Sequence, residues 1–376
     1  MRIAINTRLL LKNRLEGIGW FTFETAKRIV RSHPEHQFFF LFDRKFDPEF
    51  VFAPNVTPVV LPPQSRHPIL WYAWFEWSVC QFLRRNRIDL FLSPDGYLSL
   101  RANIPQVVVV HDISFYHYPH DLPLVTSKYL NYYTPRFARK ATRIATVSQY
   151  TKDDICSSYG IPPEKISVVF NGCNPLFSPL SQEEMASTRG WLTGNSPYFV
   201  FVGAFNPRKN VDRLIRAFGM HKQGTGSKAK LVLVGTKMFR TRRLYRAYRD
   251  NPFRDDIIFT GRLSVEQLRR VMGAATALVY PSYFEGFGIP LVEAMRCGVP
   301  IAASDCTSIP EVAGEAAIYF DPFDVNAIAQ CLRRIEADNQ LRQVLINKGI
   351  AQSQRYSWDR TAESLFECMM QAVSAE

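Results

Sequence analysis

Two carboxylates and two cations suggest the chemistry of this chain. Glu285 and Glu293 frame a strand-to-helix turn, and Arg208 and Lys209 stand side by side in a loop after another strand-like run. Adjacent cations are what a diphosphate needs as it departs with growing negative charge. A solvated basic turn is the alternative for that pair. One glutamate can orient a sugar hydroxyl, and the other can accept hydrogen bonds from a ribose. Neither has the pattern of a metal cage, and no Asp-x-Asp stands at a strand end, so metal-independent chemistry is expected.

The stretch from Val279 to Val299 holds both glutamates. The apolar run Ala275 to Tyr280 ends at Pro281 as a buried strand does, and Gly286-Phe287-Gly288 then opens a helix with Pro290 in its first turn. A loop between the carboxyl end of a strand and the amino end of a helix turns free N–H groups and the helix dipole toward a ligand, which points to a phosphorylated one. Gly17-Ile18-Gly19 is a weaker signal of the same kind, since it lies just before a helical pattern at Phe21, Ala26, Ile29 and Val30. Such a loop suits close approach to a phosphate or simply turns the chain. The β-branched run Gln106 to Val110 ends in His111-Asp112, where a parallel strand delivers side chains to a ligand. Asp112 suits a turn cap equally well.

Strands and helices must position these groups. In the first half, strands are expected at Ile3 to Asn6, Gln37 to Phe42, Val59 to Leu61 after Pro58, Ile88 to Ser93, Gln106 to Val110, Arg143 to Val147 and Ile166 to Phe170. The second half restarts the rhythm with Tyr198 to Val202, Leu231 to Val234, Ile257 to Thr260, Ala275 to Tyr280 and Pro300 to Ala303. Helical patterns separate them, which implies parallel sheets with right-handed crossovers, hence two doubly wound α/β domains. The Pro-, Ser-, Gly- and Asn-rich residues 174 to 196 suggest a linker. The expected domains are 1–185 and 186–356, with 357–376 forming a helix, capped by Ser357, that crosses back to the first. Between Pro62 and Phe82 the aromatics Trp71, Tyr72, Trp74, Phe75 and Trp77 predict a helix, packed into the core or facing lipid headgroups.

Composition narrows the classes further. A chain of 376 residues with 47% hydrophobic and 21% charged residues suits two globular domains, not a disordered protein. Seven singly scattered cysteines suggest buried thiols in a reducing compartment. No run approaches the roughly 20 apolar residues that span a bilayer, and no signal-peptide pattern opens the chain, so a cytoplasmic protein is expected. The net charge of +12 fits solubility, nucleic acid or an anionic membrane face. Lys237, Arg240, Arg242, Arg243, Arg246 and Arg249 form a local cluster that a solvated helix face also explains. No G-x-G-x-x-G follows a strand, which argues against a dinucleotide-binding protein, and no nucleic-acid-binding motif is present.

Taken together, Phe284-Glu285-Gly286-Phe287-Gly288 and Pro290 to Met295 are similar to the Glu-x7-Glu signature of the family 4 retaining glycosyltransferases, which have the GT-B fold. Further resemblance lies in Gly17-Ile18-Gly19, Val110-His111-Asp112, Val147-Ser148, Asn171-Gly172, Pro207 to Asn210 and Phe259-Thr260-Gly261, so it covers essentially the whole chain. The resemblance implies a C-terminal domain that binds a nucleotide-sugar and an N-terminal domain that binds the acceptor. Glu293 would hold the ribose, and Glu285 with Gly286 and the amides of Phe287 and Gly288 would hold the donor sugar. Lys209, joined by Arg208, would hold the diphosphate. Gly17 and Gly19 would approach the same phosphates, His111 with Asp112 beside it would line the donor sugar, and Gly261 to Leu263 would receive the base. The commoner family pattern places an arginine directly after Gly203. This chain has Ala204 there, and Arg208 is expected to supply that cation.

Family members of this type retain anomeric configuration, generally ascribed to front-face attack with the leaving phosphate helping to deprotonate the acceptor. The Val110 to Phe115 and Pro207 to Asn210 segments look most like mannosyltransferases. They imply GDP-mannose as donor, with a UDP-sugar as competitor. A glycan or lipid-linked acceptor for cell-surface polysaccharide, and contact with an anionic membrane, complete the expectation; nucleic acid is not expected as a partner. Another GT-B enzyme, an epimerase or a phosphorylase, is the alternative.

Overall fold

Strands rich in Val, Ile and Phe set the architecture, because such runs stay buried on both faces only inside a parallel sheet covered by helices. The computed structural model describes residues 1–238 and 241–374 and divides into two compact units, Met1–Gly172 with Ser357–Glu376, and Cys173–Tyr356. In the first, β1 (Arg2–Asn6), β2 (Gln37–Phe42), β3 (Val56–Val60), β4 (Leu90–Ser93), β5 (Gln106–Val110), β6 (Arg143–Thr146) and β7 (Ile166–Val168) form one parallel sheet, ordered β3-β2-β1-β4-β5-β6-β7. Strand order reverses between β1 and β4, the switch point at which open α/β sheets bind ligands. Register aligns Ile5 with Leu92 and Ser93 with Val108, so the segments after β1, β4 and β5 emerge side by side.

Two expectations for this unit are corrected. The third strand does not begin after Pro58 but runs through it, with Pro58 opposite Phe40. β3 is the sheet edge, where a missing N–H can face away from the ladder. The aromatic segment is not one regular helix, and it buries some of its rings while leaving others at the surface. It forms helical turns Pro68–Ala73 and Cys80–Arg85 joined by a π-helical stretch, Trp74–Val79. Trp74 and Phe75 are buried and Trp77 is exposed, while the buried Glu76 carboxylate accepts the N–H groups of Leu100 and Arg101 at 2.8 and 3.1 Å.

The helix Trp358–Val373 belongs to this unit. Ser357 Oγ accepts the N–H of Asp359, Thr361 Oγ1 donates to the carbonyl of Phe170 at 2.6 Å, and Trp358 meets Phe21 edge-on at 6.3 Å. A Cβ on Gly172 would lie 2.2 Å from the Trp358 nitrogen, so only glycine permits this approach. The units therefore part at Gly172 and Cys173 and not at 185 and 186. Residues expected to be a linker are packed into the second unit: Arg269 reaches Glu184 at 3.1 Å, and Gly273 faces Leu180.

The second unit holds β8 (Tyr198–Val202), β9 (Lys230–Val234), β10 (Ile257–Gly261), β11 (Ala277–Tyr280), β12 (Ile301–Ser304) and β13 (Ala317–Phe320), ordered β10-β9-β8-β11-β12-β13 and all parallel. β13 is not among the expected strands; its four residues, AIYF, are too few to show a period. Its switch point lies between β8 and β11. The basic cluster forms the helix Arg242–Arg249, which buries Leu244 and Ala247 and turns Arg242, Arg243, Arg246 and Arg249 outward, as a solvated helix face does. Arg240 lies outside the described residues. All seven cysteines are free thiols, and among the described residues no helix is long and apolar enough to cross a membrane.

Candidate active site

The loop after β8 and the loop after β11 meet at the second unit's switch point. Pro207–Lys209 form a single 3-10 turn, which places Arg208 and Lys209 over the end of the sheet. Arg208 Nη1 donates to Glu285 Oε2 at 2.7 Å and to the carbonyl of Phe284 at 2.8 Å. Lys209 Nζ donates to Glu285 Oε1 and, at 3.1 Å, to the hydroxyl oxygen of Tyr280. The main chain of Glu285 is pinned as well: its N–H donates to Thr307 Oγ1 at 3.1 Å, and its carbonyl accepts from Ser308 Oγ at 2.9 Å.

Burial alone would oppose ionisation of Glu285, which is 5% exposed. The fields of Arg208 and Lys209 and the hydrogen bond from Lys209 outweigh it and hold the pKa at about 2. Two cations thus share one ionised carboxylate, and these three side chains together sum to a single positive charge. Glu285 in this state is a poor proton acceptor and a poor nucleophile.

Glu293 contrasts with it. It lies one turn into the helix Ile289–Arg296, and among the described residues its carboxyl makes no hydrogen bond or ion pair. Burial raises its pKa to about 8, so near neutral pH it is a carboxylic acid that can donate one hydrogen bond and accept others. A vicinal diol such as a ribose presents both partners. Gly288, with φ +95°, makes the sharp entry to this helix; a Cβ there would meet Leu291 at 2.9 Å. Phe287 is buried, edge-on to Tyr356 at 5.3 Å. Gly261 ends β10, where a Cβ would meet nothing within 4 Å, and Leu263 is half-buried beside it.

In the first unit, His111 leaves β5 with Nε2 2.8 Å from the carbonyl oxygen of Pro94. A carbonyl can only accept, so Nε2 carries the hydrogen and Nδ1 is left as an acceptor. Burial lowers the His111 pKa and keeps the ring neutral. Asp112 takes the capping alternative: its Oδ1 accepts the N–H of Ser114 at 2.9 Å. Gly17 and Gly19 do not form a loop but lie in the first turn of the helix Gly17–Ser32. Space around Gly17 is open, whereas a Cβ on Gly19 would come within 3.1 Å of the Leu9 carbonyl oxygen.

Sequence reasoning missed two groups of residues. One is the buried set around Asp95, whose carboxylate accepts from Asn6 Nδ2 at 2.8 Å and from Arg8 Nε at 2.5 Å, with the Arg8 guanidinium over the Tyr97 ring. This set ties the segments after β1 and β4 together next to the carbonyl that holds His111. The other is Asn210, which in the sequence is only the last residue of the Pro207 to Asn210 segment.

Two doubly wound parallel sheets make up the GT-B architecture, with a cation pair and carboxylates at the switch point of the second. Residues 15–175 match the description "Glycosyltransferase Family 4", and residues 188–352 match "Glycosyl transferases group 1". The chain is 27% identical over 380 residues to "O-antigen chain mannosyltransferase B" of Escherichia coli, with 97% of each covered. Its fold is similar to sucrose-phosphate synthase from Thermosynechococcus elongatus, with TM-score 0.81, 19% identity and complete coverage of both chains. It is similar as well to Anabaena HepE in complex with UDP and glucose, with TM-score 0.77, 18% identity, and 99% of this chain and 100% of that one covered. The chain belongs to the family 4 glycosyltransferases.

Proposed function

We propose that this protein is a retaining hexosyltransferase that moves mannose from GDP-mannose to a glycan or lipid-linked acceptor during synthesis of a cell-surface polysaccharide. The observation that carries the reading is the cluster of Arg208, Lys209 and Glu285, whose surplus positive charge sits where the β8 and β11 loops meet. The acceptor oxygen attacks the anomeric carbon, the bond to the phosphate oxygen breaks, and the acceptor proton passes to the leaving phosphate. Arg208 and Lys209 take up the charge that develops there, and we assign no metal to that task. Glu285, tied to both cations, orients a sugar hydroxyl, and Glu293 receives the ribose. The full-length likeness to an O-antigen mannosyltransferase supports mannose and polysaccharide synthesis. The likeness to a protein bound to UDP and glucose keeps a UDP-sugar as the second reading.

Peripheral contact with an anionic membrane is part of this proposal. The turns from Pro68 to Arg85 and the helix Leu124–Lys140 carry a run of neighbouring rings, Trp77, Tyr72, Tyr133 and Tyr132, spaced 4.9 to 5.9 Å, with Arg136 over Tyr132. Ile69, Trp77, Leu124 and Val125 are more than half exposed, and the single acid on both elements, Glu76, is buried. Exposed apolar and basic side chains without acids suit a headgroup layer.

The test is nucleoside diphosphate release from GDP-mannose and from UDP-sugars, with and without a lipid-linked glycan precursor, and the anomeric configuration of the product by NMR. The expected result is acceptor-dependent release of GDP with retention. Release independent of acceptor, or inversion, overturns the reading.

A further inference from the structure

Asn210 directly follows the cation pair. Its backbone is left-handed, with φ 58°, a conformation that asparagine tolerates better than other side-chain-bearing residues. The residue is 1% exposed and uses its whole amide. Nδ2 donates to the carbonyl of Pro281 at 3.0 Å and to that of Pro322 at 2.6 Å, and Oδ1 accepts from Arg213 Nη1 at 2.8 Å. Pro281 begins the loop after β11, and Pro322 lies in the loop after β13. One side chain therefore fastens three strand-end loops, including its own after β8. The Tyr283 N–H also donates to the Arg208 carbonyl at 3.0 Å, so the turn bearing the cations and the turn bearing Glu285 are joined through main chain as well.

No other residue makes this set of bonds. Aspartate fits the space but has no hydrogens to give and would face two carbonyl oxygens. Glycine keeps the backbone conformation and loses all three bonds. Glutamine is one methylene too long for the same turn.

We propose that Asn210 is a positioning residue for the donor diphosphate. It fixes Arg208 and Lys209 against the Glu285 loop before the donor arrives, so no reorganisation of the cation pair is needed as charge develops on the leaving group. The inference rests on the transferase reading above.

The experiment compares the full chain with its Asn210→Asp and Asn210→Gly variants, titrating GDP and UDP by calorimetry and recording the unfolding midpoint and folded fraction. Both variants are expected to bind the preferred nucleoside diphosphate about tenfold more weakly per folded molecule, an amount of the order of one well-made buried hydrogen bond. Donor KM rises and acceptor KM stays unchanged. A residue needed only for folding would lower the folded fraction, and with it kcat, while leaving the dissociation constant of folded molecules where it was. That result overturns the proposal, as do a glycine variant with unchanged affinity and a pair of variants that both fail to fold. If the unaltered chain binds neither GDP nor UDP, the transferase reading itself fails.

Discussion

Replacing Glu285 with glutamine keeps its shape and removes its charge, leaving Arg208 and Lys209 facing a neutral amide in a largely buried site. The pKa of Glu285, held at about 2 against an ordinary 4.5, implies roughly 3 kcal/mol in favour of its ionised form in the folded protein. The Arg208 side chain is 25% exposed and partly screened by solvent, which trims this to about 2–3 kcal/mol. Because the folded pKa is depressed, that stabilisation is present above the unfolded pKa near 4.5 and is lost as pH falls toward 2. Urea unfolding of Glu285→Gln should therefore show the full loss at pH 7 and a shrinking difference below pH 4.5. The same variant removes the anion that competes for both cations, so nucleoside diphosphate should bind more tightly, by about tenfold, while transfer falls because the sugar has lost its carboxylate. Equal stability at pH 7, a deficit that grows on acidification, or weaker nucleoside diphosphate binding would refute the account of Glu285 as the internal counter-ion of the phosphate site.

Three further outcomes follow from other residues. Glu293→Gln should remove a pH dependence of the opposite sign. With the Glu293 pKa raised to about 8 in the fold, its stabilising contribution is complete below about 4.5 and is lost as pH rises through 8; melting curves from pH 5 to 8.5 should show the variant gaining on the unaltered chain as pH rises. Gly288→Ala forces a side chain into φ +95° and against Leu291, so it should cost about 1–3 kcal/mol in denaturant unfolding and lower transfer with it. Trp77→Glu puts an acid into the exposed aromatic and basic surface. It should weaken sedimentation with vesicles containing phosphatidylglycerol and leave GDP titrations unchanged; equal binding of the variant, or binding by the unaltered chain that ignores salt, would count against membrane contact.

Residues that announce themselves locally were legible in the sequence. The valines before His111, the glycines around Phe287 and the adjacent Arg208 and Lys209 each carry a short-range signal, and strand positions followed from runs of β-branched and aromatic residues. What could not be read depends on partners far along the chain. Asp95 is a plain acid after a strand until Asn6 and Arg8 arrive beside it from the other side of the switch point. Asn210 shows its purpose only when Pro281 and Pro322 are in place. The first helix begins at Gly17 and not after Gly19 as the sequence suggests, because glycine reads as a break whereas the first helical turn tolerates it. Pairing of Glu285 with both cations is equally invisible in the sequence, and it turns a carboxylate expected to stand free into one tied to Arg208 and Lys209.

The path of the chain between the units has a consequence for biogenesis. The first unit's sheet is finished by β7, yet its closing helix, Trp358–Val373, is encoded after the whole of the second unit. During synthesis the segment up to Gly172 must wait for Trp358 to meet Phe21 and Thr361 to meet the carbonyl of Phe170 until the residues from Ser357 onward leave the ribosome. The second unit is contiguous and can be excised as a single piece, whereas no single cut releases the first unit whole. Chaperone dependence during translation should therefore fall on the amino-terminal half.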